Sequence, residues 1–238
     1  DGVLFTRYTK GADGKPSDGT DPSDPGDEEP IATTMQDFSC SRLNVNDTAT
    51  LTDTRDGNEY TVKKLIDNKC WMMDNLRIIN KTITSEDSNL PNGESFTIPA
   101  SSINGFSESN YNANNAYYDE TYGGFYTFNT ATAGWGVATV GAPVGNSPKD
   151  ICPKGWRLPT GGYNSATSEW WYLQEVYTSS ERNAVLNPSL GGEIIDGRHY
   201  GAGEYGNVYT AYIEEIYGSR SISLISSGTC TITLSLPS

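Results

Sequence analysis

The sequence predicts an α+β fold that is rich in short strands and ordered loops and has few helices. The 238 residues include 15 Tyr and 25 Gly; aromatic residues favour strands, whereas glycine marks turns and bends. Short β-prone runs bounded by turn residues recur along the chain. Only one stretch has the apolar spacing of an amphipathic helix. Together these observations favour a strand-rich domain over a helical bundle.

The first strands are expected in a hairpin. Ala49–Thr54 alternates in polarity, Asp56 and Gly57 supply the turn residues, and Glu59–Ile66 is the return strand. Asp-Gly between two alternating runs is a strong short-range hairpin signal.

A third strand is expected in "KCWMMDNLRI", which carries Cys70 and Trp71 into the core. The segment from about Asn80 to Asn115 is polar and irregular, and it predicts long surface loops. Dense aromatics return after it in "AYYDETYGGFYTF".

The main helix is expected over about residues 167–186, in "TSEWWYLQEVYTSSERNAVL". Thr167 or Ser168 can cap its N-terminus, and the helix ends before Pro188. Its apolar positions fall on one face, and they are Trp170, Leu173, Val176 and Tyr177.

The composition excludes two classes of partner. A formal net charge of −14 repels nucleic acid and anionic membrane surfaces. No run approaches the roughly 18 apolar residues of a membrane span.

The chain opens at Asp1 without the basic and apolar regions of a signal peptide. We therefore expect a secreted or cell-surface protein from which the signal peptide has been removed.

The four cysteines are expected to form two disulfides. They allow three pairings, of which we favour Cys40–Cys70 with Cys152–Cys230. None belongs to a C-x-x-C pair, so a zinc knuckle or a thioredoxin-type site is not indicated. Bonded cysteines imply an oxidising compartment, and four buried thiols in a cytosolic protein are the alternative.

The first 30 residues differ in composition from the domain at 31–238. Residues 1–9 form a short β-prone run, and residues 10–30 contain four Gly, four Pro and seven acidic residues. Such a segment buries too little apolar surface to order itself, so we expect a flexible linker. Its Asp spacing is similar to that of calcium loops but lacks the full pattern; a solvated spacer without a cofactor is expected, with calcium as the alternative.

The N-terminal strand is expected to pair with a sheet. Val3 and Phe5 share one face and Leu4 and Tyr8 the other, and such a strand left free exposes an aggregation-prone edge. The linker reaches at most roughly 70 Å when extended, enough to cross a neighbouring subunit. Donation to a neighbour in a homo-oligomer or filament and return to the chain's own sheet both stay open.

The sequence contains few residues that could form a catalytic site. His199 is the only histidine, and its Gly-rich surroundings predict a loop position. The acidic pairs Asp119/Glu120 and Glu214/Glu215 are expected by chance in a chain with 30 acidic residues, and neighbours on one strand point to opposite faces. We predict no catalytic residue, no metal site and no enzymatic activity.

Five ordered blocks together resemble the Fibrobacter succinogenes major paralogous domain family: "TDTRDGNEYTVKKL", "KCWMMDNLR", "ETYGGFYTF", "ICPKGWRLPT" and "EWWYL". The resemblance covers about residues 37–230. It implies a C-type-lectin-like fold in a bacterial cell-surface or secreted protein, and it implies no particular activity.

The resemblance also implies roles for the segment "CPKGWRLP". It is expected to be a structural corner that leads a strand into the helix, with Cys152 bonded to a cysteine near the end of the domain. Trp156 and Leu158 are then core residues, together with Trp71 and Trp170. The chain departs from the family pattern after Cys230, where "TITLSLPS" continues as one more alternating strand.

The function predicted from these features is that of a non-catalytic structural or adhesive surface protein. We expect a self-assembling, pilus-like filament subunit that uses its N-terminal strand. The alternative is a lectin-like module for a glycan or protein ligand, with aromatics near Tyr111–Tyr118 as the stacking surface. A hydrolase ranks third. The sequence lacks the E-P-N, Q-P-D and W-N-D triplets of calcium-dependent lectins.

Overall fold

The main sheet has four strands, and it begins with the predicted hairpin. In the computed structural model, β1 (Thr48–Thr52), β2 (Glu59–Lys64) and β3 (Cys70–Asn75) form an antiparallel meander. β10 (Thr229–Thr231) lies parallel to β3 and completes the order β1-β2-β3-β10. The structure describes residues 33–106, 113–136, 147–160, 165–178, 181, 193–195, 198–200, 229–231 and 233–234.

The turn of the hairpin forms as its residues predict. Gly57 adopts a positive φ of 76°, and its amide donates a hydrogen bond of 2.8 Å to the carbonyl oxygen of Asp53. The side chain of Asp56 accepts from the amide of Asn58 at 2.9 Å. The predicted hairpin and third strand are therefore confirmed.

The described residues also form three smaller sheets. β6 (Ala116–Asp119) pairs antiparallel with β7 (Gly123–Tyr126), and β11 (Thr233–Leu234) adds to β7 in parallel. Two hairpins complete the set: β4 (Lys81–Thr84) with β5 (Ser95–Ile98), and β8 (Glu193–Ile195) with β9 (Arg198–Tyr200). The helices in the part of the chain that the structure describes are α1 (Phe128–Ala131) and α2 (Glu169–Val176), and 3₁₀ turns lie at Cys40–Arg42 and Ile103–Gly105.

The architecture confirms a strand-rich α+β protein with few helices. It corrects the expectation of long loops between residues 80 and 115, because the β4–β5 hairpin occupies part of that segment. Each of its strands turns one isoleucine, Ile83 and Ile98, into the main core. Two inward apolar residues in two four-residue strands are too few to produce a visible alternation in the sequence.

The main core gathers side chains from the first sheets, the β6–β7 hairpin and the 150–158 corner. Trp156 is buried, and its indole nitrogen donates a hydrogen bond of 2.7 Å to the carbonyl oxygen of Met35. Other members include Leu51, Tyr60, Val62, Leu76, Ile83, Tyr126, Phe128 and Leu158. Trp71 packs in a second, smaller cluster with Leu65 and Leu173, which joins the main sheet to α2.

The two glycines of the "YGGFY" block let two segments approach closely. A Cβ on Gly124 would lie 2.6 Å from the carbonyl oxygen of Leu76, too close for any other residue. This approach places the hydroxyl of Tyr126 within 2.8 Å of the carbonyl oxygen of Ile78. Gly123, with a φ of 85°, begins the strand.

Helix α2 is shorter than predicted. It begins at Glu169 with Ser168 as N-cap, since the Ser168 hydroxyl accepts from the amide of Trp171 at 3.3 Å. It ends at Val176, ten residues before the predicted end. The reason is tertiary, because Tyr177 leaves the helical conformation and its hydroxyl accepts from the amide of Ile66.

The sequence contains a signal for the end of α2 at Val176, but the apolar periodicity over residues 167–186 favoured a longer helix. Thr178 and Glu181 exchange hydrogen bonds: the Thr178 amide donates to the Glu181 carboxylate at 2.8 Å, and the Glu181 amide donates to the Thr178 hydroxyl at 3.3 Å. This reciprocal pair is a capping box, the pattern typical of a helix N-terminus. Val176, predicted on the apolar face, is exposed.

Several predictions fall on residues that the structure does not describe. They concern the strand at 1–9 with Val3, Leu4, Phe5 and Tyr8, and the linker at 10–30. For Trp170 and Cys230 the structure describes only the backbone, in α2 and β10 respectively. Within the described part of the chain, no helix has the length and apolarity that crossing a membrane requires.

Candidate functional site

A polar pocket lies between the start of α2 and the turn that joins β2 to β3. Its volume is about 300 Å³. Hydroxyl groups, two carboxylates and one ammonium group make up most of its wall, which consists of Asp67, Lys69, Thr160, Ser165, Ala166, Thr167, Ser168, Glu169 and Tyr172.

The β2–β3 turn sets one wall of this pocket. Asn68 adopts a positive φ of 61°, and the amide of Leu65 donates to the carbonyl oxygen of Lys69 at 2.9 Å, which closes the turn. Asp67 and Lys69 flank Asn68 and both side chains reach the pocket. Leu65, at the start of this turn, packs against Leu173 of α2, and this contact holds the turn beside the helix.

Glu169 is held by four hydrogen bonds and ion pairs at the start of α2. Arg157 donates two bonds to its carboxylate, of 2.9 and 2.7 Å, and the amide of Thr160 donates a third of 2.7 Å. The ammonium group of Lys69 lies 3.1 Å from the same carboxylate. Burial acts to raise the pKa of Glu169, but the hydrogen bonds and charge of Arg157 outweigh it, so the pKa is lowered.

Asp67 is the second carboxylate of the pocket, and its side chain is only 4% exposed. It accepts from the amide of Lys69 at 3.1 Å and from the indole nitrogen of Trp71 at 3.3 Å. Burial raises the pKa of Asp67, and the N–H donors and the charge of Lys69 offset only part of that effect. Lys69 therefore faces a carboxylate on each side.

The charges of the pocket balance. Asp67 and Glu169 contribute two negative charges, and Lys69 and Arg157 two positive ones. Tyr172 borders the pocket and is 37% exposed. Among the described residues, no three His, Cys, Asp or Glu side chains are grouped so that they could hold a metal ion. The arrangement is suited to binding a small polar molecule.

A second polar cluster lies inside the protein and is closed to solvent. The side chains of Arg55 and Asp53 are both fully buried, and Arg55 donates to both carboxylate oxygens of Asp53 at 2.7–3.0 Å. Arg55 also donates to the hydroxyl of Ser88 at 2.9 Å and to the carbonyl oxygen of Ile151 at 2.7 Å. Burial acts to raise the pKa of Asp53, but Arg55 outweighs it and the pKa is lowered.

Asp150 organises the corner that contains "CPKGWRLP". Its carboxylate accepts from the amides of Cys152 and Leu158, at 2.9 and 2.8 Å, and from the side chain of Asn89 at 2.8 Å. Burial nevertheless raises its pKa to about 6. Because both polar clusters beside the corner are buried, we assign the corner a structural role.

Most of the predicted structural residues lie where the sequence indicated. Cys40 and Cys70 form a disulfide with Cα atoms 5.6 Å apart. Trp71, Trp156 and Leu158 are buried, as is Cys152. The structure shows this one disulfide among the residues whose side chains it describes; the pairing of Cys152 with Cys230 stays a prediction.

Among the described residues that line the α2 pocket, none was considered for catalysis. His199 lies in β9, paired with Ile194, so the expected loop position is wrong: a three-residue hairpin strand is too short to stand out among glycines. Asp119 closes a turn by accepting from the amides of Thr121 and Tyr122. Glu214 and Glu215 lie outside the described residues.

Of the aromatics proposed as a stacking surface, Tyr111 lies outside the described residues, and the two that are described differ in exposure. Tyr117 packs on Phe125, with ring centroids 6.3 Å apart, whereas Tyr118 is 37% exposed. The sequence reasoning missed the α2 pocket altogether. Its one sequence signal was the cap at Ser168 followed by Glu169, which indicated a helix start and not a site.

The chain is thus a strand-rich, disulfide-linked domain with a structural corner and a small polar pocket. The model of the Fibrobacter succinogenes major domain family matches residues 65–214, which is more than half of the chain. The protein belongs to this family, and the matched range includes the pocket and the corner. No curated protein and no solved structure matches it significantly.

Proposed function

We propose that the protein is a non-catalytic structural or adhesive protein of the bacterial surface with a C-type-lectin-like domain. The observation that carries the proposal is the Cys40–Cys70 disulfide, because disulfides persist mainly in oxidising, extracellular compartments. It joins the 3₁₀ turn at Cys40–Arg42 to the first residue of β3. Family membership agrees with a bacterial origin.

The oxidising compartment is tested by mapping disulfides in non-reduced native protein. We expect two linked peptide pairs, Cys40–Cys70 and Cys152–Cys230, in mass spectrometry of a proteolytic digest. Alkylation before reduction should label none of the four cysteines. Stoichiometric alkylation of Cys152 or a Cys40–Cys152 link would contradict the second disulfide, and a reduced Cys40–Cys70 pair would argue against an extracellular protein.

The role proposed for the protein is that of a filament subunit whose N-terminal strand pairs with a neighbour. The support is in the sequence: residues 1–9 are β-prone, and residues 10–30 form a long polar tether. Strand addition to a sheet edge supplies main-chain hydrogen bonds between subunits. The domain at 31–238 would form the body of each subunit.

Deletion of residues 1–9 tests this role. The full chain is expected to form filaments under the electron microscope, and the deletion variant to remain a folded monomer in light scattering with an unchanged melting temperature. Phe5→Asp, which keeps the length, should reduce assembly in the same direction. Filaments that persist without residues 1–9, or a deletion variant that unfolds, would refute strand donation.

A second candidate is a lectin-like binding module, and the α2 pocket favours it. The pocket combines polar groups held by a bidentate ion pair with an exposed aromatic side chain, Tyr172. Binding sites of this kind use a few fixed polar groups beside an apolar surface. The two candidates are compatible, because a surface filament can carry a ligand site on each subunit.

A further inference from the structure

We infer that the α2 pocket binds one neutral sugar ring and does so without calcium. The inference rests on the second candidate function, the lectin-like module, and it names the ligand class and the site. It replaces the aromatics near Tyr118 as the expected site with Lys69, Asp67 and Tyr172.

Charge selects a neutral ligand. The pocket contains two carboxylates and the Lys69 ammonium group, and Arg157, which does not line it, pairs with Glu169. The four charges neutralise each other, so neither an anion nor a cation gains a net attraction. A ligand anion would face the buried Asp67 and a chain with a net charge of −14. A ligand amine would compete with Lys69 for Glu169. A neutral polar molecule avoids both costs.

The remaining hydrogen-bonding capacity suits hydroxyl groups. The Lys69 ammonium has three N–H donors and contacts two carboxylates, at 3.1 and 3.7 Å, which leaves one donor for a ligand. Glu169 already accepts from three N–H groups and contacts Lys69. The hydroxyl of Ser165 belongs to the same wall. Sugar hydroxyls both donate and accept, so they match a wall of mixed donors and acceptors.

Size and shape favour a single ring. A volume of about 300 Å³ stands at the lower limit of ligand pockets, roughly 300–1,000 Å³. The exposed side chain of Tyr172 offers a flat apolar surface with a polar tip beside the polar wall. A sugar ring has the same division, with an apolar face of C–H groups and an edge of hydroxyls.

Calcium is not required, because the carboxylates are already committed. Both oxygens of Glu169 accept from Arg157, and both oxygens of Asp67 accept from the Trp71 indole. Calcium needs six to eight oxygen ligands. The pocket would have to break these bonds to supply them.

The test is an NMR titration of the full chain with methyl glycosides of glucose, galactose, mannose and N-acetylglucosamine. We expect at least one neutral glycoside to bind with a Kd of about 1 mM, as is usual for so small a ligand. The Trp71 indole N–H signal should shift, because this group bonds to Asp67. The Trp156 indole, buried against Met35, serves as the internal control and should not shift.

Matched variants locate the site. Tyr172→Ala and Lys69→Met are expected to weaken binding about tenfold each, whereas Tyr118→Ala, at a tyrosine of equal exposure, leaves it unchanged. EDTA should have no effect, and methyl glucuronide and glucosamine should bind more weakly. Far-ultraviolet dichroism and melting temperatures verify that the variants fold.

The outcomes separate the inference from the function on which it rests. Binding that is lost in Tyr118→Ala but kept in Tyr172→Ala and Lys69→Met would overturn the pocket as the site and leave the lectin-like module standing. Binding that EDTA abolishes, or stronger binding of the glucuronide, would overturn the calcium or charge argument. No binding to any glycoside at 50-fold above about 1 mM would reject both the inference and the lectin-like module, and it would leave the filament proposal untouched.

Discussion

Two bidentate arginine–carboxylate pairs stand in different surroundings: Arg55 meets Asp53 through Nε and Nη2, and Arg157 meets Glu169 through Nη1 and Nη2. Arg55 and Asp53 are both fully buried, whereas the side chains of Arg157 and Glu169 are 24% and 11% exposed. The shortest contact in each pair is 2.7 Å. We infer that the access of an ion pair to water, and not the distance between its charged groups, determines its role.

The buried pair connects segments that are distant in sequence. Arg55, in the β1–β2 turn, reaches Ser88 beyond β4 and Ile151 in the corner. Both partners are buried acceptors, and removal of the Arg55 side chain would remove the hydrogen bond that each accepts from it. The partly exposed pair instead holds the start of α2 against residues 157–160, and its carboxylate lines an open pocket.

The largest expected difference between the two regions is in stability. Arg55→Met should lower the free energy of unfolding by about 3–5 kcal/mol, because it leaves Asp53 as an uncompensated buried charge. Arg157→Met should cost only about 1 kcal/mol, because water can solvate Glu169 in part. Urea denaturation followed by circular dichroism measures both.

A double variant provides the control for this comparison. Asp53→Leu combined with Arg55→Met removes both charges and should recover part of the loss. Equal losses for Arg55→Met and Arg157→Met would refute the claim that solvent access separates the two pairs.

A smaller difference is expected in the pH dependence of stability, and it has opposite signs at Asp150 in the corner and at Glu169 in the α2 pocket. The pKa of Asp150 is raised to about 6 in the folded state, so its contribution is complete below about pH 4 and is lost as the pH rises through 6. The pKa of Glu169 is lowered, so its contribution is present above its ordinary pKa and is lost as the pH falls through the folded value.

The measurement compares Asp150→Asn and Glu169→Gln with the parent protein by urea denaturation between pH 3.5 and 7.5, a window of about four units around the two pKa values. The difference in free energy of unfolding between the parent protein and Asp150→Asn should narrow as the pH rises. It should narrow by about 3 kcal/mol at most, since one pKa unit is worth about 1.4 kcal/mol. The gap between parent and Glu169→Gln should widen over the same range. If both differences in free energy of unfolding changed with pH in the same direction, burial would not be what separates the two pKa values.

Local signals in the sequence were reliable where neighbouring residues decide the structure. Asp56 and Gly57 predict the hairpin turn, and either Thr167 or Ser168 is predicted to cap the helix, which Ser168 does. The pairing of Cys40 with Cys70 and the burial of Trp156 and Leu158 also followed the prediction. The Thr178–Glu181 capping box was present in the sequence, but apolar periodicity across it favoured a longer helix.

By itself, the sequence determined the strand-rich class, the first three strands, the cap of α2 and the family. Turn chemistry, side-chain alternation and short sequence motifs each depend on only a few neighbouring residues, so they can be read without the fold. Only the tertiary structure decided that Arg55 meets Ile151 and that Asp67 and Lys69 lie beside Glu169. These groups are about 100 residues apart, and their meeting depends on how sheets and helix pack. Solvent access, which separates the buried pair from the pocket, is a property of that packing and has no local signature in the chain.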